Sequence, residues 1–210
     1  MPLDVHMFVF DTLSDWEPGY AIAGINNPDF QRQPHRYRVR TFALRRDVVT
    51  TIGGVRVFPH QTLEAVHSST SAMLILPGGK AWDQGKNMEV VELARAFLAA
   101  GVPVAAICGA TAGLARGGLL DNRPHTSNAR EYIQATGYRG AKYYRDAAVV
   151  VDGDLITAPA MAPLDFARAI FERLELYTPA VVSAWYDLFS TGRREHFATL
   201  MQAGEVPATT

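Results

Sequence analysis

Cys108 is the one cysteine among 210 residues, and its surroundings are those of a nucleophile. The run Pro103-Val-Ala-Ala-Ile-Cys108-Gly-Ala-Thr-Ala-Gly-Leu-Ala115 begins as a short apolar strand and changes at once to small residues. Opening after Gly101-Val-Pro103, such a run predicts a buried central parallel strand. The small residues then let a helix start immediately and pack close to the sheet. Cys108 is therefore predicted at a sharp strand-to-helix turn. Free backbone N–H groups and the helix dipole there favour a thiolate and lower the thiol pKa. The competing reading is an inert buried cysteine that packs as a small hydrophobe. Two further features fall at predicted strand ends. Glu17 can accept a hydrogen bond from the thiol or hold its proton, and a carboxyl beside a thiolate is expected to have a raised pKa. Taken alone, it reads as a solvated residue at a helix start. Gly79 can bring a backbone N–H close to a reacting carbonyl oxygen because no side chain intervenes. Taken alone, Gly78-Gly79 is a turn after a strand.

Bringing these positions together requires a scaffold that gathers strand ends. Val5 to Phe10 reads as the first strand, and Thr12 to Ile22 as a loop running into a helix. Tyr37, Val39 and Thr41 alternate with Arg36, Arg38 and Arg40, which predicts a strand over residues 36–44. Val48–Ile52 and Val55–Phe58 flank Gly53-Gly54, a hairpin signal. Ala72 to Pro77 is a buried strand, and Val90, Leu93, Ala94, Phe97 and Leu98 keep helical spacing. A short strand around Pro124–Ser127 and a helix near residues 128–136 follow. Ala148–Val151 and Leu155–Ala158 flank Asp152-Gly-Asp154, a second hairpin signal. Pro163 and Pro179 each open an amphipathic helix, and Arg193–Gln202 reads as helical after Gly192. Strands alternating with helices predict an α/β sandwich around a mostly parallel sheet, with extra C-terminal helices. Ligands in such folds sit at the carboxyl ends of strands, where Asp11, Gly78 and Cys108 fall. One domain is expected over residues 1–202, with a disordered tail over 203–210.

Composition narrows the function. Apolar residues make up 48% of the chain and the formal net charge is −1, so nothing global calls for nucleic acid or an acidic partner. A single cysteine forms no internal disulfide, which points to a reducing cytosol. The N-terminal apolar stretch is too short for a signal peptide, and no run reaches membrane-spanning length. The six histidines show no metal-ligand spacing, and Gly117-Gly118 lacks the spacing of a phosphate loop, so neither metal nor nucleotide cofactor is expected. Arg36, Arg38, Arg40, Arg45 and Arg46 read as a solvated edge-strand face that blocks edge pairing. Trp16 and Trp82 flank the expected site, as pocket walls or as core.

Leu76-Pro-Gly-Gly79, Ala106-Ile-Cys-Gly-Ala-Thr-Ala-Gly-Leu-Ala115 and Gly118-Leu-Leu-Asp-Asn-Arg-Pro-His-Thr-Ser-Asn128, in that order, resemble the PfpI/ThiJ family of the class I glutamine-amidotransferase-like superfamily. Asp15-Trp-Glu17 fits its acidic residue, and Leu155-Ile-Thr-Ala-Pro159 with Phe166-Ala167 fits its late strand and helix. The resemblance spans about residues 4–176. It implies a flavodoxin-like three-layer sandwich, often dimeric, with a reactive cysteine at a strained elbow. Members are reported as glyoxalases, protein deglycases, peptidases, isocyanide hydratases or oxidative-stress sensors. By resemblance Cys108 is the nucleophile, Glu17 its carboxyl partner and Gly79 the oxyanion-side glycine. Three departures matter. Gly109 stands where peptidase-type members carry a histidine. Ser127 aligns with the histidine many members have after the elbow helix, while His125 lies two residues earlier and, on a strand, would share its face. Thr157 to Pro163 lacks the late histidine and glutamate of true glutaminases.

With the resemblance, these residues imply as the leading expectation a cytosolic, cofactor-free, cysteine-dependent enzyme for small carbonyl compounds such as glyoxals. Cys108 would add to an aldehyde. N–H groups near Gly79 and Gly109 would hold the oxyanion, and Glu17, with His125, would move protons. Trp82 is assigned to the substrate pocket. The competing class is a redox sensor or stress protein whose Cys108 is oxidised, with Glu17 hydrogen-bonded to the product. An amidase or intracellular peptidase ranks below both. Val181, Trp185, Leu188, Phe189, Phe197 and Leu200 lie on apolar faces of residues 179–202, one expected to cover the sandwich and another to meet a second subunit.

Overall fold

The computed structural model describes residues 2–205. Its sheet begins with β1 (Leu3–Phe8) and β2 (Tyr37–Ala43), and continues through β5 (Gln61–Thr62), β6 (Ser71–Leu76), β7 (Val104–Ile107), β8 (Val150–Asp152) and β9 (Leu155–Ala158). Seven strands lie side by side in the order β5-β2-β1-β6-β7-β9-β8. All neighbours are parallel except β8, which turns back antiparallel on β9 through Gly153-Asp154. The central strands read as continuous apolar runs because both of their faces are covered. Val5, Phe8, Leu74, Ile75 and every residue of β7 are fully buried. A separate antiparallel pair, β3 (Val49–Thr50) with β4 (Arg56–Val57), forms the hairpin signalled by Gly53-Gly54.

Two groups of helices flank the sheet. Helix α1 (Trp16–Asn26) packs on α6 (Pro163–Arg173), α6 on α7 (Pro179–Thr191), and α7 on α8 (Arg194–Glu205). Helices α2 (Lys80–Asp83) and α3 (Met88–Ala99) both pack on α4 (Gly109–Arg116), which also meets the short α5 (Arg130–Gln134). This is the flavodoxin-like sandwich with extra C-terminal helices. Local chemistry sets the helix ends. Pro163 and Pro179 open α6 and α7, Thr178 accepts the Val181 N–H, and Gly192 closes α7 at φ 67°.

Two expectations change. Residues 124–127 make only a single bridge, between His125 and Tyr144, instead of a strand. Helix α8 runs on to Glu205, past the expected domain end at 202, so residues 203–205 are helical and not a tail. The expected disorder of residues 206–210 lies outside the described residues. No described helix is long and apolar enough to cross a membrane.

Candidate active site

The chain turns from β7 into α4 at Cys108, whose backbone sits at φ 57°, ψ −125°. A side-chain-bearing residue pays roughly 1–3 kcal/mol to hold such a conformation. The surroundings enforce it. The Cys108 N–H donates to the Ala158 carbonyl at 2.9 Å, continuing the β7–β9 ladder. Its carbonyl accepts from the Thr111 N–H at 3.0 Å and from the Thr111 hydroxyl at 2.6 Å. Thr111 Oγ1 is itself 2.6 Å from Ser127 Oγ. The elbow is thus tied to both neighbouring segments, and the Gly109 N–H is left to face the sulfur.

Glu17 enters from the first turn of α1 and is fully buried. Its Oε2 accepts the Gly78 N–H at 2.5 Å, while its buried Oε1 has no hydrogen-bonded partner. The absence of a side chain at Gly78 makes room for this meeting. A Cβ there would lie 2.7 Å from Glu17 Oε2 and 2.9 Å from Cys108 Sγ. The loop ahead of α1 is fastened to the same segment, because the Ser14 N–H donates to the Gly78 carbonyl at 3.0 Å and Leu13 bridges Gly79. Gly79 and Gly109 face one another: a Cβ on Gly109 would stand 3.3 Å from Gly79 N.

Asn128 completes the site. Its Oδ1 accepts the Ala160 N–H at 2.8 Å, which turns Nδ2 towards Cys108 Sγ at 3.4 Å. Sequence reasoning gave this residue no role. The signal available was its place at the end of the Gly118–Asn128 motif.

The electrostatics differ from those expected of an isolated helix N-terminus. Burial pushes Glu17 up to about 7, opposed by the Gly78 N–H. Burial and the charge of Glu17 push the Cys108 thiol up to about 12, opposed by Asn128 and the Gly109 N–H. The direction is opposite to the one expected of a thiol at a helix N-terminus, with burial as its leading cause. This direction favours the neutral thiol, held beside a buried carboxyl.

Two assigned residues stand elsewhere. His125 is fully buried, but its Nδ1 lies 2.8 Å from the Arg123 carbonyl and its Nε2 3.0 Å from the Tyr138 hydroxyl. Both ring nitrogens are committed, so His125 exchanges no proton with Cys108. The same-face argument failed because residues 124–127 are not a strand. Trp82 is core and not a pocket wall. It is fully buried, donates its indole N–H to Pro77, and occupies space cleared by Gly113, where a Cβ would meet the ring at 2.4 Å. Trp16, by contrast, is 54% exposed in a groove along α1 and α7.

A parallel α/β sandwich with a cysteine on a positive-φ elbow beside a buried carboxyl defines the class. The model of the DJ-1/PfpI family matches residues 4–173, and the chain belongs to that family. It is similar to the uncharacterized protease YoaZ of Bacillus subtilis, with 36% identity over 200 residues, 94% of this chain and 95% of that protein. The crystal structure of a thiJ/pfpI family protein from Bacillus anthracis superposes with a TM-score of 0.92 at 35% identity, covering 99% of each chain. Deglycase PfpI of Pyrococcus furiosus is 30% identical over 131 residues, 61% of this chain and 75% of that protein.

Proposed function

We propose that this protein is a cysteine-dependent enzyme acting on small carbonyl compounds of the glyoxal type. The observation that carries the reading is the pairing of an elbow cysteine with a buried carboxyl whose pKa is raised to about 7. A general base is most effective when its pKa lies near the working pH. In the first step the thiol proton passes to the Glu17 carboxylate while Sγ bonds to the aldehyde carbon. The carbonyl oxygen becomes an oxyanion, which the Gly79 and Gly109 N–H groups would receive. Proton return gives a hemithioacetal. For a 2-oxoaldehyde, Glu17 can then carry the proton from C1 to C2, which leaves a thioester on Cys108. Water cleaves the thioester to a 2-hydroxy acid and restores the thiol. The overall change is addition of water with an internal redox shift, so no external oxidant or cofactor enters. A relative named as a deglycase supports carbonyl chemistry.

The sensor reading uses the same sulfur and the same buried carboxyl, and what favours turnover over it is the relative named as a deglycase. The test is methylglyoxal consumption by wild type, Cys108→Ala and Glu17→Gln. Cys108→Ala should abolish turnover, and Glu17→Gln should lower it by about 10²–10⁴-fold. Equal, buffer-like rates for wild type and Cys108→Ala would sink the proposal.

A further inference from the structure

The orientation of the Asn128 amide is settled by its neighbours. Its Oδ1 accepts the Ala160 N–H at 2.8 Å, and its Nδ2 lies 3.4 Å from Cys108 Sγ. Turned over, the amide would set its own N–H groups against the Ala160 N–H and its oxygen against the sulfur. Only the observed orientation gives each group a partner. The segment that carries Asn128 is held as firmly. The Thr126 N–H donates to Thr157 Oγ1 at 3.0 Å and the Thr126 hydroxyl to the Ala147 carbonyl at 2.9 Å. Ser127 Oγ stands 2.6 Å from Thr111 Oγ1 in α4. Thr157 lies in β9, and the Cys108 N–H donates to Ala158 of the same strand. One stretch, residues 157–160, therefore holds both the sulfur-bearing residue and the amide that meets it.

A fixed donor at this atom has a use in the first step proposed above. There the S–H bond breaks, the proton goes to the Glu17 carboxylate, and the electron pair stays on Sγ. Negative charge then builds on a sulfur that burial disfavours charging. A hydrogen bond to an ionised acceptor is roughly twice as strong as one between neutral groups, so the Asn128 contact tightens as that charge appears. The other groups facing the sulfur are the Gly109 N–H, Glu17 from α1 and Tyr132 from α5. The Tyr132 hydroxyl is already donated to Asp83 Oδ1 at 2.6 Å. Asn128 carries no charge and does not titrate, so it supplies its N–H at any pH.

We propose that Asn128 is a further catalytic residue: its Nδ2–H donates to Sγ as the thiol proton leaves and stabilises the anionic sulfur that attacks the carbonyl carbon. This rests on the reading of Cys108 as the nucleophile and not on which carbonyl compound it attacks.

The test is the rate constant for alkylation of Cys108 by iodoacetamide, measured from about pH 6 to about pH 9, where the thiolate is the reacting form. Asn128→Asp keeps an oxygen for the Ala160 N–H and replaces the donor by an acceptor. Asn128→Leu keeps the size and removes both bonds. Each should alkylate about tenfold or more slowly than wild type at the alkaline end. Asn128→Leu should still show the limb close to 7 that Glu17 sets, which a general collapse of the site would not spare. If Asn128 were only a strut for its loop, Asn128→Asp, which keeps the Ala160 bond, would alkylate as wild type does. That result overturns the proposal, and so do wild-type rates in both variants. Should Asn128→Leu fail to fold, as a melt would show, Asn128→Asp decides alone. Methylglyoxal consumption separates this from the substrate reading. Equal rates for wild type and Cys108→Ala would remove the glyoxal substrate, while the alkylation rates would still decide the role of Asn128.

Discussion

Burial sets Cys108 apart from an exposed thiol at a helix N-terminus, and an expected pH dependence of the site follows from that. With Glu17 near 7 and the thiol near 12, ionisation of Glu17 switches on the base. The rate of Cys108 alkylation, and kcat/KM for a 2-oxoaldehyde, should rise with pH through a limb close to 7. Glu17→Gln should remove that limb, and a limb that persists in the variant would assign the base elsewhere. The same carboxyl leaves a mark on stability. Its pKa is raised from 4.5 in the ordinary state to about 7 in the fold, so the folded protein holds a proton that the unfolded chain releases first. Stability is therefore greatest below about pH 4.5 as far as Glu17 is concerned. It falls as pH rises to about 7 and changes no further above that, by about 3 kcal/mol at most. The melting temperature of Glu17→Gln relative to wild type should climb across the same window, and a pH-independent difference would contradict the burial argument. Cys108 and Gly79 were legible because each stands just past a buried apolar strand, whereas Glu17, inside the first turn of α1, was singled out by the family resemblance and not by its own position. Asn128 was not legible, because its orientation depends on an Ala160 N–H from a distant loop. His125 was misplaced because alternation means nothing without a strand.

The elements hold the site by close approach and by one strained turn. Glycine adopts the Cys108 conformation without the side-chain penalty. Cys108→Gly should therefore melt above Cys108→Ala, in which the strain persists and the sulfur is equally lost. About 1 kcal/mol of net relief corresponds to roughly 2–4 °C for a chain of this size. Thermal melts of the two variants decide this, and the reverse order would mean the elbow is not strained. Gly113 makes a similar point inside α4. Its missing side chain admits the Trp82 ring, so Gly113→Ala should destabilise by about 1–3 kcal/mol in denaturant unfolding. The order of strands and helices was readable from runs such as Ala72–Pro77 and from Pro163 and Pro179, since a strand covered on both faces leaves a continuous apolar signature. The role of Trp82 was not readable. Only the packing of α2 on α4 decides between a core indole and a pocket wall, and residues 82 and 113 are far apart in the chain.

At the scale of the whole molecule, the family match ends at residue 173, and α7 and α8 lie beyond it. One side of α7 serves the expected purpose: Val181 and Val182 are buried, and Trp185 meets Phe171 edge-on at 4.9 Å. Beside this contact a groove of about 610 Å³ remains between α1 and α7–α8, walled by Trp16, Tyr20, Trp185 and Phe189. Trp16, Phe189 and Phe197 are each about half exposed. Clustered exposed aromatic side chains are the kind of surface a protein contact covers, and a two-fold contact covers the same patch on both copies at once. We therefore expect a second copy of the chain on this face. Light scattering across a concentration series should give the mass of a dimer, and Trp16→Glu combined with Phe189→Glu should give a monomer that keeps its far-ultraviolet spectrum. Because Trp16 adjoins Glu17, the contact would also steady the turn that presents the carboxyl to Cys108, and the monomeric variant should alkylate more slowly near pH 7. A wild-type mass that stays monomeric on concentration would remove the expectation, whatever the fate of the chemistry at Cys108.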